Sequence, residues 1–122
     1  MRNFRNLDVW QKSHGIALAA YKVTANFPKE ERYGLISQIR RCAASIPANI
    51  AEGCGRAGDG EFARFLQIAM GSASEFEYHI LLAHDLTFLS PDTYNRLHEN
   101  IVEVKRMLAS LIMKVNHDRN SC

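Results

Sequence analysis

Between residues 94 and 115, Tyr94, Leu97, Ile101, Val104, Leu108, Leu111 and Val115 recur at alternating steps of 3 and 4. A strand turns successive side chains to opposite faces, so this spacing serves only a helix with one apolar seam. Such a seam has to be buried on another element. Ser90 and Pro91 supply an N-cap and a proline at the first helical position, with Asp92 in the first turn.

Three more segments repeat the pattern. Phe62, Leu66, Ala69, Ala73, Phe76, Ile80 and Ala83 form a seam, with Asp59 as the expected cap. Phe65, Met70, Leu81 and Phe88 widen it enough to pack on more than one side. Ile36, Ile39, Ala43, Ile46 and Ile50 mark another helix, started by Pro28 and Glu30-Glu31. Pro47 falls inside it, removes one backbone hydrogen bond, and predicts a kink near Ser45-Ile46-Pro47. Val9, Ile16, Ala20, Val23 and Phe27 give the first helix, which ends before Pro28. The breaks near Phe27-Pro28, Gly53 to Gly60 and Ser90-Pro91 are short, and short connections favour antiparallel neighbours. The expected fold is therefore all-α: an antiparallel up-down-up-down four-helix bundle, kinked at Pro47. It is one domain over residues 1–122, with a core spanning about 4–116.

A chain of 122 residues folds without a metal or disulfide staple. Cys42, Cys54 and Cys122 are odd in number and lack CxxC spacing, so neither a disulfide framework nor a zinc site is indicated. Cys42 lies in an apolar helical run and reads as a small buried hydrophobe, and Cys122 as a frayed end. No run approaches the roughly 18 apolar residues of a membrane span, and the N-terminus lacks a signal-like stretch. The expectation is a cytoplasmic protein with no membrane partner. A net charge of +2 is too small to identify a nucleic-acid binder by composition, so a basic site has to come from local clustering.

Gln38, Arg41, Ser45, Asn49 and Glu52 form a second, polar stripe on the second helix, and Ser72, Glu75 and His79 form one on the third beside Gly71. The expectation is that these stripes meet. Arg41 or Arg40 would pair with Glu75, and Asn49 would bond backbone or Glu52, fixing register or an oligomer interface. Arg40, Arg41, Arg56 and Arg64, extended by Arg32 and Lys29, are the candidate nucleic-acid-binding cluster. Arg56 and Arg64 are expected at one end of the bundle, where phosphate is one ligand and ion pairs with Glu52, Glu61 or Asp59 the plainer role.

Catalytic signals are weak. Gly53-Cys54-Gly55-Arg56-Ala57-Gly58 matches GxGxxG, but a helix precedes it where the dinucleotide fingerprint needs a strand, so the glycines read as a helix stop and turn. No Glu-x-x-His motif of a di-metal bundle occurs. His79 and His84 point to different faces, and Ser45, Ser72 and Ser74 lack a nucleophile elbow. No catalytic residue, cofactor or metal is expected, and the chain is read as a non-enzyme.

A family likeness rests on Leu7-Asp8-Val9-Trp10-Gln11, Phe27-Pro28, Tyr33-Gly34-Leu35, Gln38-Ile39-Arg40-Arg41, and Phe65-Leu66-Gln67-Ile68-Ala69, with Gly71-Ser72-Ala73 and Glu75. The long run Ser45-Ile46-Pro47-Ala48-Asn49-Ile50-Ala51-Glu52-Gly53 is its most specific part. Over about residues 4–115 the chain resembles the bacterial four-helix bundle proteins encoded in 23S rRNA intervening sequences. That resemblance implies a ring-like homopentamer, and a fold similar to the accessory proteins of diversity-generating retroelements, which bind nucleic acid and a reverse transcriptase. It carries over no catalytic residue. The expected function is a homo-oligomeric scaffold or interaction module, with Phe4, Leu7 and Trp10 docking on a neighbouring protomer. The partners are the chain itself and an unknown protein. The alternative is an accessory protein that binds RNA or DNA through an arginine-lined surface of the oligomer.

Overall fold

The computed structural model describes residues 2–120 and is all-α, with no strand among them. A 3-10 turn at Phe4–Asn6 leads into α1 (Asp8–Thr24), and a second at Lys29–Glu31 precedes α2 (Leu35–Cys54). Then follow α3 (Asp59–Asp85) and α4 (Pro91–Asn120). α2 packs on α1 and α3, and α4 on α3 and α1, while α1 and α3 share no contact. The helices thus stand at four corners, each antiparallel to its sequence neighbour.

The seams of α2 and α3 are buried as the periodicity requires; Ile46, Ile50, Phe62, Leu66, Phe76 and Ile80 are fully enclosed. On α4 the seam slips: after Leu108 the buried residues are Ile112 and Val115, and Leu111 is only half-buried. At 3.6 residues per turn a strict heptad drifts, and a step of 4 restores contact with the core. α3 packs on two helices, although Leu81 stays exposed.

The helix ends depart from expectation in three places. α1 stops at Thr24, so Phe27 is buried from the turn that follows it and not from the helix. Asp59 is not a cap: Gly58 precedes α3 with φ 83°, and Asp59 is the first helical residue, its carboxylate accepting from Arg2 at 2.8 Å. α2 begins at Leu35, not at Pro28, because Pro28 to Glu31 closes a separate 3-10 turn; the Glu31 carboxylate accepts from the Leu35 N–H at 3.2 Å. Ser90 does cap α4, its Oγ accepting from the Thr93 N–H at 3.2 Å. α2 is one continuous helix through the buried Pro47. Cys122 lies outside the described residues.

Candidate functional site

The two polar stripes meet within one chain. Arg41 Nη2 donates to Glu75 Oε2 at 2.5 Å and to Gln38 Oε1 at 2.7 Å. One turn on, the hydroxyls of Ser45 and Ser72 lie 2.8 Å apart across α2 and α3, close enough only because both side chains are small. Asn49 Nδ2 donates to the Ser45 carbonyl at 2.8 Å and to its hydroxyl at 2.9 Å. His79 Nε2 lies 3.3 Å from Glu75. Glu52 is not in this network, because Arg56 takes it at 3.0 Å. Cys42 is enclosed beneath the seam. Burial, and secondly the Glu75 carboxylate, push its thiol up to about 12, so it is inert as a nucleophile near neutrality. Burial likewise raises Cys54, with Arg2 opposing.

The four candidate arginines do not form one cluster. Arg40 turns to α1, donating from Nε to the Thr24 hydroxyl at 2.8 Å and from Nη2 to the Tyr21 carbonyl at 3.3 Å, with its guanidinium 4.8 Å from the Tyr21 ring centre. Arg41 serves the seam. Arg56 lies past the far end of α2, and the helix from Arg40 to Cys54 alone spans about 21 Å. Arg56 and Arg64 do come together: their guanidiniums lie 4.9 and 4.6 Å from the Phe65 ring centre. Arg64 pairs with Glu61 at 3.0 Å, a contact that lowers the Glu61 carboxyl below its ordinary value and raises Arg64.

Two arginines that spacing does not reveal join this end. Arg2 sits 4.0 Å from the Phe62 ring centre, and Arg119 lies over Gly60. They arrive from opposite ends of the chain, so no local pattern announces them. Arg2, Arg56 and the turn at Gly55 to Asp59 enclose an open depression of about 600 Å³. Gly53 sits at the crossing: a Cβ there would stand 2.9 Å from Phe65 Cβ, so this glycine is required by helix approach and not by a dinucleotide.

A third surface is apolar. Between α1 and α2 a groove of about 390 Å³ is floored by Ala44, Pro47, Ala48 and Ala51 and walled by Trp10, Ala17, Leu18 and Tyr21. Leu18 and Tyr21 are 61% and 51% exposed, too much for core residues. Phe4 packs edge-on against Trp10 at 4.8 Å, and Trp10 stacks on His14 at 4.9 Å. Leu7 lines a different groove, between α1 and α4. The floor was legible as small residues at steps of 3 and 4 on α2, a signal the polar stripe beside it obscured. Among the described residues no three His, Cys, Asp or Glu side chains gather as a metal site. Among the same residues no helix is long and apolar enough to cross a membrane.

Comparison with known proteins decides the family. The family model for 23S rRNA-intervening sequence proteins matches residues 5–110. The chain belongs to that family. A solved structure from the S23 ribosomal protein family, a protein of unknown function from Bacteroides thetaiotaomicron, superposes with a TM-score of 0.77 at 28% identity, covering 85% of this chain and 97% of the other. Among curated proteins none matches. In this member of the 23S rRNA-intervening sequence protein family, the run from Ser45 to Gly53 supplies three things at once. Ile46 and Ile50 enter the core, Ser45 and Asn49 enter the seam, and Pro47, Ala48 and Ala51 floor the groove.

Proposed function

We propose that the protein is a non-catalytic protomer that assembles with itself, as the pentamer implied by the family resemblance, and serves as a scaffold or interaction module. The observation that supports this most is the α1–α2 groove. Contiguous exposed apolar surface is uncommon on proteins that stay monomeric, and covering it gains about 25 cal/mol per Å². The groove joins aromatic walls to a small-residue floor, the form a neighbouring helix needs for close approach. Trp10 stands in the groove and is the only tryptophan, so it reports directly. On dilution of the purified protein its emission is expected to move to longer wavelength as the assembly dissociates. Emission and mass that do not change with concentration, at the mass of one chain, would refute self-association.

The second reading is nucleic-acid binding through the end that carries Arg56 and Arg64, with Arg2 beside them. Several copies on one rim would multiply a field that is weak in one protomer, where Glu52, Glu61 and Asp59 hold these same arginines. Binding of structured RNA or duplex DNA across a salt series tests it: phosphate contacts give an affinity that falls steeply with salt. An Arg56→Ala, Arg64→Ala double variant is expected to lose that binding. Equal binding by the variant would remove this end as the site.

A further inference from the structure

The groove has a counterpart on the opposite side of the same protomer. Because α1 and α3 share no contact while α2 and α4 each touch both, the α1–α2 side faces away from the α3–α4 side. On that far side α3 raises Tyr78 and Leu81, 57% and 41% exposed, beside a shallow depression of about 290 Å³ that Tyr94 and His98 of α4 also line. Asp85 follows on the same stripe, its side chain 65% exposed and its carboxylate 3.4 Å from His84 Nδ1, with the outer face open to solvent. The ridge thus reads as two large apolar side chains followed by an acid.

The groove reads as the complement. Its floor of alanines and proline leaves room for large side chains. Arg40 lies outside that lining but beside its Tyr21 wall, with hydrogen bonds to neutral oxygens of Thr24 and Tyr21 and its guanidinium 4.8 Å from the Tyr21 ring centre. Arg40 therefore brings positive charge to the rim, and Asp85 brings negative charge to the ridge.

We propose that the α3 ridge of Tyr78, Leu81 and Asp85 docks into the α1–α2 groove of a second copy, giving a head-to-tail interface. This rests on the self-association reading and specifies its geometry. Two different patches on opposite sides cannot satisfy each other in a closed pair. Each added copy leaves a free groove at one end and a free ridge at the other, and the series ends only by closing a ring.

The test uses two exposed substitutions, Leu18→Glu in the groove and Tyr78→Glu on the ridge, with Met113→Glu as a control. Met113 is 73% exposed and lines neither surface. Helicity is checked by circular dichroism and mass by sedimentation. Each interface variant alone is expected to be a monomer and the control to assemble like wild type. An equal mixture of the two is expected to form a heterodimer and nothing larger, since the intact ridge of one meets the intact groove of the other. Ala48→Glu and Leu81→Glu form a second pair, read the same way if either first variant loses helix. A wild-type monomer would defeat self-association itself. A wild-type oligomer with both variants still assembled, with only one of them monomeric, or with no heterodimer in the mixture would overturn the head-to-tail interface while leaving self-association intact.

Discussion

Arg41 and Glu75, 34 positions apart, are joined at 2.5 Å and tie the middle of α2 to the middle of α3. Their side chains are 58% and 37% exposed, so solvent screens the pair and most of its Coulomb energy is lost. Removing either side chain by Arg41→Ala or Glu75→Ala is expected to cost about 0.5–1 kcal/mol, with a double-mutant coupling of the same size. Urea unfolding of the four proteins measures it. A coupling of several kcal/mol would mean that the seam is buried by something further, such as a neighbouring copy.

Gly53 lets α2 and α3 close on each other. A Cβ at that position would stand 2.9 Å from Phe65 Cβ and 3.2 Å from Phe62 Cδ1, and neither neighbour has space to yield. Gly53→Ala is expected to destabilise the fold by about 1–3 kcal/mol despite the better helix propensity of alanine. A more stable variant in thermal unfolding would show that this approach is slack.

Thr87 closes α3 with φ 67°, the left-handed region that a β-branched residue avoids. Its N–H still donates to the His84 carbonyl at 2.9 Å, and the Phe88 N–H to that of Ala83 at 2.9 Å, so the turn is held by the helix end. Thr87→Gly is expected to raise stability by about 1 kcal/mol, read as a higher urea midpoint. A lower midpoint would contradict the strain.

Cys42 makes stability depend on alkaline pH. Its thiol ionises at the ordinary 9.0 when unfolded, and burial pushes it up to about 12 in the fold. Between those values the unfolded chain releases a proton that the native chain keeps, so stability falls as pH rises through that window. The urea midpoint of wild type is expected to fall more steeply between pH 9 and 12 than that of Cys42→Ala. Parallel slopes would contradict the burial effect.

Much of the bundle was legible because its signals are local. The α3 seam from Phe62 to Ala83 is one apolar face repeated along one helix, and it is buried throughout. Arg41 with Glu75 followed from matching two stripes, each readable alone. Arg40 was harder. It neighbours Arg41 in sequence but turns about 100° around the helix, and only the position of α1 decides that it meets Thr24. Asp59 looked like a cap because its residue type suits one, yet Arg2 claims its carboxylate from 57 positions away. Arg2 and Arg119 join Arg56 only through tertiary packing. The opposed groove and ridge are likewise invisible along the chain, since each is assembled from two helices.

Self-association is the central claim, and sedimentation equilibrium of the wild-type, nuclease-treated protein at micromolar concentration tests it most directly. The expected result is a mass that is a multiple of the 13.8 kDa chain, five-fold if the family resemblance holds, falling on dilution. A mass of 13.8 kDa at every concentration would contradict the account.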